Sequence, residues 1–331
     1  MSCRWIIQFL LCGTLTFFGF APRAATLESQ KLAGEIMIID VHYHINWWVS
    51  PTEVMAQMKR NNIGWLGAVG PTAGNATQTG PLDLAPYVEV LGKRFILAIG
   101  QAAFGRIYRE GGVSALTDEA NEVYQRLFAT ADESFTRGRA KGFGEIHINN
   151  SNTNPDPAFR RKIPFNAKPI VTMATIAQRH GGFLQFHAED DSDTVEQLKD
   201  LAGRFPAVSI ILSHCLESTD TVLIRGLLNQ FPNLFCDLSA RSSLFFFAGA
   251  PPAKVARYTL YDDASFRPDW IELVDSMPTR FMLGSDIFRQ DIDFDKVIAQ
   301  LRHGVLANLQ PASIELVANG NAKRIFKLTQ P

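Results

Sequence analysis

Apolar residues along this chain fall into short blocks, and longer amphipathic stretches separate them from about residue 36 onward. The blocks are "EIMIIDVHYHI", "WLGAVG", "RFILAIGQ", "GFGEIHI", "FLQFHAE", "VSIILSHC", "LFCDLSA" and "RFMLGSDIF". Each is brief, rich in β-branched or aromatic residues, and reads as a buried strand. The stretches between them carry apolar positions at helical spacing. After the first block, Ser50 is a suitable N-cap, Pro51 a first helical residue and Gly64 a helix end. Val54, Met55, Met58 and Ile63 form the stripe between them. Residues 113–139 read as one long helix. Further helices are expected over "IVTMATIAQRHGG", "TVEQLKDLAGRFP", "TDTVLIRGLLNQFPN", "DFDKVIAQLRHGVL" and "SIELVANGNAKRIFKL".

Strict alternation of this kind implies parallel strands joined by crossover helices. Eight such units predict an α/β fold of the (β/α)8 TIM-barrel type, a single domain over residues 26–331. Loop insertions are expected after strand four ("NNSNTNPDPAFRRKIPFNAKP") and strand seven ("RSSLFFFAGAPPAKVARYTLYDD"). Both lie on the side where such barrels build their sites. An open doubly wound sheet is the competing fold. It would want a glycine-rich phosphate loop after the first strand, and "NWWVSP" is not one.

The first 25 residues break the pattern. "MSCR" is positive, "WIIQFLLCGTLTFFGFA" is apolar, and "PRAA" supplies small residues. These are the three parts of a secretory signal peptide, so the protein is expected to be exported, periplasmic or secreted. An uncleaved membrane anchor is the alternative; after leader removal no stable membrane insertion is expected. Cys215 and Cys236 then remain in the chain. Both read first as core residues, with a bridge between them as the minority alternative. The net charge of -1 gives no reason to expect nucleic acid, and the one basic knot, "FRRK" at 159–162, reads as a solvated loop. A homo-oligomer is possible.

Candidate chemistry lies at the strand ends. If "IIDVHYHI" is extended throughout, His42 and His44 share a face about 7 Å apart, with Tyr43 opposite. Glu145 and His147 lie in strand four, His187 near the end of strand five, His214 at the end of strand six and Asp286 at the end of strand eight. In a barrel those ends form one ring. Burying unpaired imidazoles and carboxylates there is costly, and a divalent cation offsets the cost for the whole cluster. A donor set of nitrogen and oxygen suits zinc first, with manganese, iron or nickel as alternatives. Cys215 adjoins His214 but points the other way by alternation. His180 and His303, on helices, read as structural.

His42-x-His44, His187, His214 and Asp286 resemble the ligand pattern of the amidohydrolase superfamily. "LGSD" and "NGNAKRIFKL" are similar to its amidohydrolase-related (amidohydrolase-2) branch, which includes decarboxylases like aminocarboxymuconate-semialdehyde decarboxylase. The likeness covers residues 36–328. It implies that His42, His44, His187 and Asp286 bind metal. His214 would be a ligand in a two-metal site or a base beside a one-metal site. Glu145 departs from many one-metal members and resembles the strand-four Glu of TatD-like and lactonase-type relatives, where it bridges two ions.

The expected activity is metal-assisted hydrolysis of an amide, ester or lactone of a small molecule. The ion would supply Lewis acidity and acidify water toward about neutral pH. Asp286 would act as general base then acid, with His214 as the other catalytic residue. Metal-dependent decarboxylation of a carboxylated small molecule is the alternative, and a non-catalytic exported metal binder a third reading. Trp47, Trp48, Arg241 and His147 are the candidate substrate-binding residues, with Arg241 suited to a substrate carboxylate. Residues 245–247, "FFF", would line the same loops; packing of the insertion is the competing role for these aromatics, and filling the barrel for His147.

Overall fold

The structure, a computed structural model, describes residues 26–71, 83–154, 156–246 and 249–330. The leader-like residues 1–25 and Phe247 lie outside the described residues.

Among the described residues, nine short parallel strands make up the wall. β1 (Ile38–Asp40), β2 (Ile63–Gly67) and β3 (Phe95–Ile96) pair in that order. β4 (Ala98–Gly100), β5 (Gly142–His147), β6 (Phe183–His187), β7 (Ser209–Leu212), β8 (Leu234–Asp237) and β9 (Phe281–Met282) continue it. Only Leu97 separates β3 from β4. They are one barrel strand, which pairs with β2 in its first half and β5 in its second. At the other seam Asp40 pairs in parallel with Leu283, and the Val41 N–H donates to the Leu283 carbonyl at 2.9 Å. The wall therefore closes on itself with eight strand positions, and the expected barrel is present.

Alternation along the strands sorts the core into two clusters. Ile39, Val41, Trp65, Ile96, Phe183, Ile211, Phe235 and Met282 form one, capped by Ala322 and Phe326 of the C-terminal segment. Phe326 packs edge-to-face on Phe183 at 4.8 Å. These side chains fill the barrel, which is a packed core and not a pore. Their strand neighbours, such as Ile210, Leu212, Leu184 and Phe186, face the helices in the second and larger cluster. Each fully buried Leu, Ile or Phe of this kind contributes about 1.5–3 kcal/mol.

Local chemistry explains the helices. Pro51–Arg60 starts with Ser50 accepting from the Glu53 N–H and with Pro51 in the first turn. Ser192–Arg204 is capped by Asp191, and Thr221–Gln230 by Asp220. Lys168–His180 ends at Gly181 with φ 62°, where a left-handed residue closes the helix. The one long helix expected over residues 113–139 is instead two. Gln101–Ala115 contains a break at Gly112 (φ 69°), and Glu122–Thr136 begins afresh with Asn121 as its cap. The paired glycines and the capping asparagine outweigh the continuous apolar spacing.

The insertions fall where expected, after β5 and after β8. A second correction concerns the cysteines. Cys215 and Cys236 are bridged, with Cα atoms 4.9 Å apart. Alternation fails as a guide to Cys215 because the strand stops at Leu212. His214, Cys215, Leu216 and Glu217 follow in a left-handed turn, φ 51° to 61°. That turn aims the Cys215 side chain at β8.

Candidate metal centre

Parallel register brings distant polar residues together at one rim. β5 pairs with β6 so that His147 lies opposite His187. His42 and His44 come just after β1 ends at Asp40, not within the strand as the sequence suggested. They still converge, with ring centroids 5.2 Å apart, because each ring is tethered separately. The Nδ1 of His44 lies 2.8 Å from the Gly70 carbonyl. That carbonyl only accepts, so Nδ1 carries the proton and Nε2 faces inward. The Nδ1 of His42 lies 3.0 Å from Asp237 Oδ2, which orients its Nε2 inward too. Gly284 allows the rim to close around His42: a Cβ there would sit 2.4 Å from the His42 Cβ.

Glu145 stands in the middle. Its Oε2 faces the Nε2 atoms of His42 (3.5 Å) and His44 (3.7 Å). Its Oε1 faces His187 Nδ1 (3.2 Å) and His214 Nε2 (3.5 Å). Asp286 completes the ring. Its Oδ1 is 3.4 Å from His42 Nε2 and 3.2 Å from His44 Nε2, and its Oδ2 is 3.7 Å from His214 Nε2. Its own N–H donates to the His42 carbonyl at 2.6 Å and its φ is 50°, which turns the carboxylate into the centre. His147 joins from the side, with Nε2 3.1 Å from Glu145 Oε2 and its ring stacked 4.8 Å from that of His187.

The electrostatics follow from burial against pairing. Burial works to lower the His42 imidazole, but the charges of Glu145, Asp237 and Asp286 outweigh it and raise its pKa well above the ordinary value. His214 is likewise lowered by burial but raised to about 9 by Glu145 and Asp286. Burial would raise both central carboxyls. The His42 charge and the neighbouring imidazoles win, holding Glu145 well below its ordinary value and Asp286 at about 2. Burial drives His147 down to about 4, against the pull of Glu145.

Three groupings of donor atoms lie within 4.8 Å of one another: His42, His44 and Glu145; Glu145, His187 and His214; and His42, His214 and Asp286. The Nε2 atoms of His42 and His187 are buried and lack a hydrogen-bond partner. Orphaned buried imidazole nitrogens beside ionised carboxylates are what a divalent cation satisfies. The residues present fit such a group.

The six residues expected to bind metal thus lie together at one rim, in overlapping groups of three. The expected substrate contacts fare differently. Arg241 is fully buried. Its Nε donates to the Tyr258 carbonyl (3.0 Å), Nη1 to the His214 carbonyl (2.7 Å) and Nη2 to the Ser218 carbonyl (2.8 Å). It clamps the left-handed turn that carries His214, and its fork does not face a substrate. Trp47 and Trp48 pack edge-to-face on each other at 5.7 Å, Trp47 being 43% exposed. Phe245 is buried and stacks on Phe288. His180 pairs with Asp132 at 2.7 Å, and His303 lies on the C-terminal helices; both are away from the cluster.

Sequence reasoning missed Asp237, Gln185 and Ser239. Asp237 accepts from Gln185 Nε2 (2.9 Å), the backbone N–H of His214 and Ser239 (each 3.1 Å), and the Ser239 hydroxyl. Ser239 also lies 2.8 Å from His214 Nδ1. One carboxylate therefore sets the orientation of His42 and the backbone of His214. Its signal was available: Asp237 closes the apolar block "LFCD" in the sequence, as Asp286 closes "FMLGSD".

The amidohydrolase family model matches residues 39–328, nearly the whole barrel. The chain belongs to the amidohydrolase family. Among solved structures, this amidohydrolase is similar to one from Burkholderia multivorans with bound zinc, at 14% identity and TM-score 0.53, covering 89% of this chain and 100% of that one. It is also similar to a probable 2-pyrone-4,6-dicarboxylic acid hydrolase from Acinetobacter baumannii with citric acid bound. There the identity is 11% and the TM-score 0.53, covering 88% and 100%. A 2,6-dihydroxybenzoate decarboxylase from Rhizobium matches at 11% identity and TM-score 0.48, over 88% and 99%. At these identities the likeness concerns the fold. No curated protein matches the chain.

Proposed function

We propose that this amidohydrolase is a metal-dependent hydrolase that cleaves an amide, ester or lactone of a small molecule. One observation carries the reading: the two oxygens of Glu145 face two different imidazole pairs, His42 with His44 and His187 with His214. Such a carboxylate would serve both imidazole pairs in holding divalent metal. His42, His44, His187, His214, Glu145 and Asp286 would hold the metal, zinc by preference for this donor set. A divalent ion there supplies Lewis acidity toward a carbonyl and toward water.

The remaining work belongs to the chain. Asp286, ionised near neutral pH and facing the same point, accepts the proton of the attacking water. It then returns that proton to the leaving nitrogen or oxygen. His214, held by Ser239 and by the Arg241 clamp, keeps its Nε2 beside Asp286. The filled barrel beneath the rim excludes bulk water from one side. The leader-like start and the Cys215–Cys236 bridge support export into an oxidising compartment.

The same family supports a second reaction, loss of CO2 from a carboxylated substrate with a protonated side chain replacing the carboxyl by hydrogen. Metal analysis and two assays separate the readings. Stoichiometric metal and chelator-sensitive turnover of an amide, ester or lactone are expected, with Asp286→Asn lowering kcat by about 10²–10⁴-fold. CO2 release from carboxylated aromatics without hydrolysis would replace this reading by decarboxylation. A purified chain that takes up no metal would remove both.

A further inference from the structure

The basic knot "FRRK" is not a uniformly solvated loop. Phe159, Arg160 and Lys162 are exposed, but Arg161 turns inward. Its backbone is fixed to the chain leaving β5. The Arg161 N–H donates to Asn150 Oδ1 (2.8 Å), its carbonyl accepts from the Asn150 N–H (3.1 Å), and Asn149 pairs with Lys162. The guanidinium lies over the ring of Tyr108, 4.4 Å from its centroid. That ring is itself pinned, since the Tyr108 hydroxyl donates to the carbonyls of Ala158 (2.7 Å) and Arg160 (3.2 Å).

What Arg161 lacks is an acceptor. Its Nε is buried without a hydrogen-bond partner, and among the described residues no carboxylate pairs with it. The acidic group whose charge reaches it is Glu145, already faced by five imidazoles. Its own charge in turn reaches His147, whose Nδ1 is also buried and unpartnered. The charge of Arg109 also reaches Arg161 and opposes it. A desolvated guanidinium without an anion is costly, and its planar fork matches a carboxylate in two parallel hydrogen bonds.

We propose that Arg161 is the substrate-anion site of this enzyme and that the substrate is a small organic acid, its carboxylate held by the Arg161 fork beside His147 while its reacting carbonyl lies over Glu145 and Asp286. This assignment rests on the cluster being the reaction centre. It replaces Arg241 as the carboxylate reader, and it gives the loop after β5 a role in specificity.

The test uses the full-length zinc-loaded protein and calorimetric titration with succinate, glutarate and isophthalate, each beside its monoamide. At least one diacid should bind about tenfold or more tightly than its monoamide. Arg161→Gln should erase that preference with zinc content unchanged, and Arg161→Lys should restore part of it. Stoichiometric zinc with no diacid preference, or a preference that survives in Arg161→Gln, overturns the Arg161 assignment alone. A wild-type chain that takes up no zinc overturns the reading of the centre and this assignment with it.

Discussion

Arg161 and Arg241, one on each insertion at the rim, have opposite fates. Arg241, after β8, is fully buried, and its Nε, Nη1 and Nη2 each donate to a carbonyl. Arg161, after β5, is only partly buried, yet its Nε is enclosed and without an acceptor. Depth in the structure does not distinguish a scaffold cation from a ligand-reading one. The state of the donors does: satisfied donors hold the protein, and unsatisfied ones await something else.

The strongest way to break this contrast is Arg241→Met. It leaves three carbonyls without their donor, each costing about 1–3 kcal/mol when buried. A loss of at least about 3 kcal/mol in denaturant unfolding is expected, together with reduced zinc retention, because the turn carrying His214 loses its clamp. Unchanged stability would mean that Arg241 is not structural after all. Asp237→Asn comes next. It keeps the shape but weakens the orientation of His42, and zinc affinity should fall about 10–100-fold in a competition assay with little loss of fold.

A subtler test concerns the protons that stand in for metal. In the chelator-treated protein, His214 at about 9 against an ordinary 6.5 contributes stability fully below about 6.5, and loses it as pH rises through 9. Asp286 at about 2 against 3.8 contributes stability above its ordinary range, and loses it as pH falls toward 2. The metal-free unfolding midpoint should therefore be highest between roughly pH 4 and 6.5 and decline on both sides. A midpoint that rises steadily from pH 6 to 9 would contradict the pairing. The smallest effect belongs to Arg161→Gln. It loses only its stacking on Tyr108, so stability should fall by about 0.5–1 kcal/mol, a result that sharpens the difference from Arg241.

Much of the architecture was legible in the pattern. Strand blocks ending near His187 and His214, and an HxH pair within the first apolar block, pointed to four of the residues that the structure gathers at the rim. What was illegible depends on tertiary neighbours. Nothing local says that His42 follows the strand and is turned inward by Asp237 from β8. Alternation was the right rule for Ile211, which fills the barrel, and the wrong one for Cys215, beyond the strand end. The exchange of roles between Arg241 and Arg161 is the clearest case. Both read as a cation on a loop, and only the carbonyls of Tyr258, His214 and Ser218 decide which of them is committed.

The seam of the barrel also has a consequence for biogenesis. Ser285 donates to Asp40 across 245 residues of sequence, and Asp286 donates to the His42 carbonyl beside it. A growing chain that has emerged only as far as β8 holds His42 but neither of those anchors. Assembly of the cation pocket is thus a late event in synthesis, and truncated products ending before residue 286 lack the carboxylate that completes it.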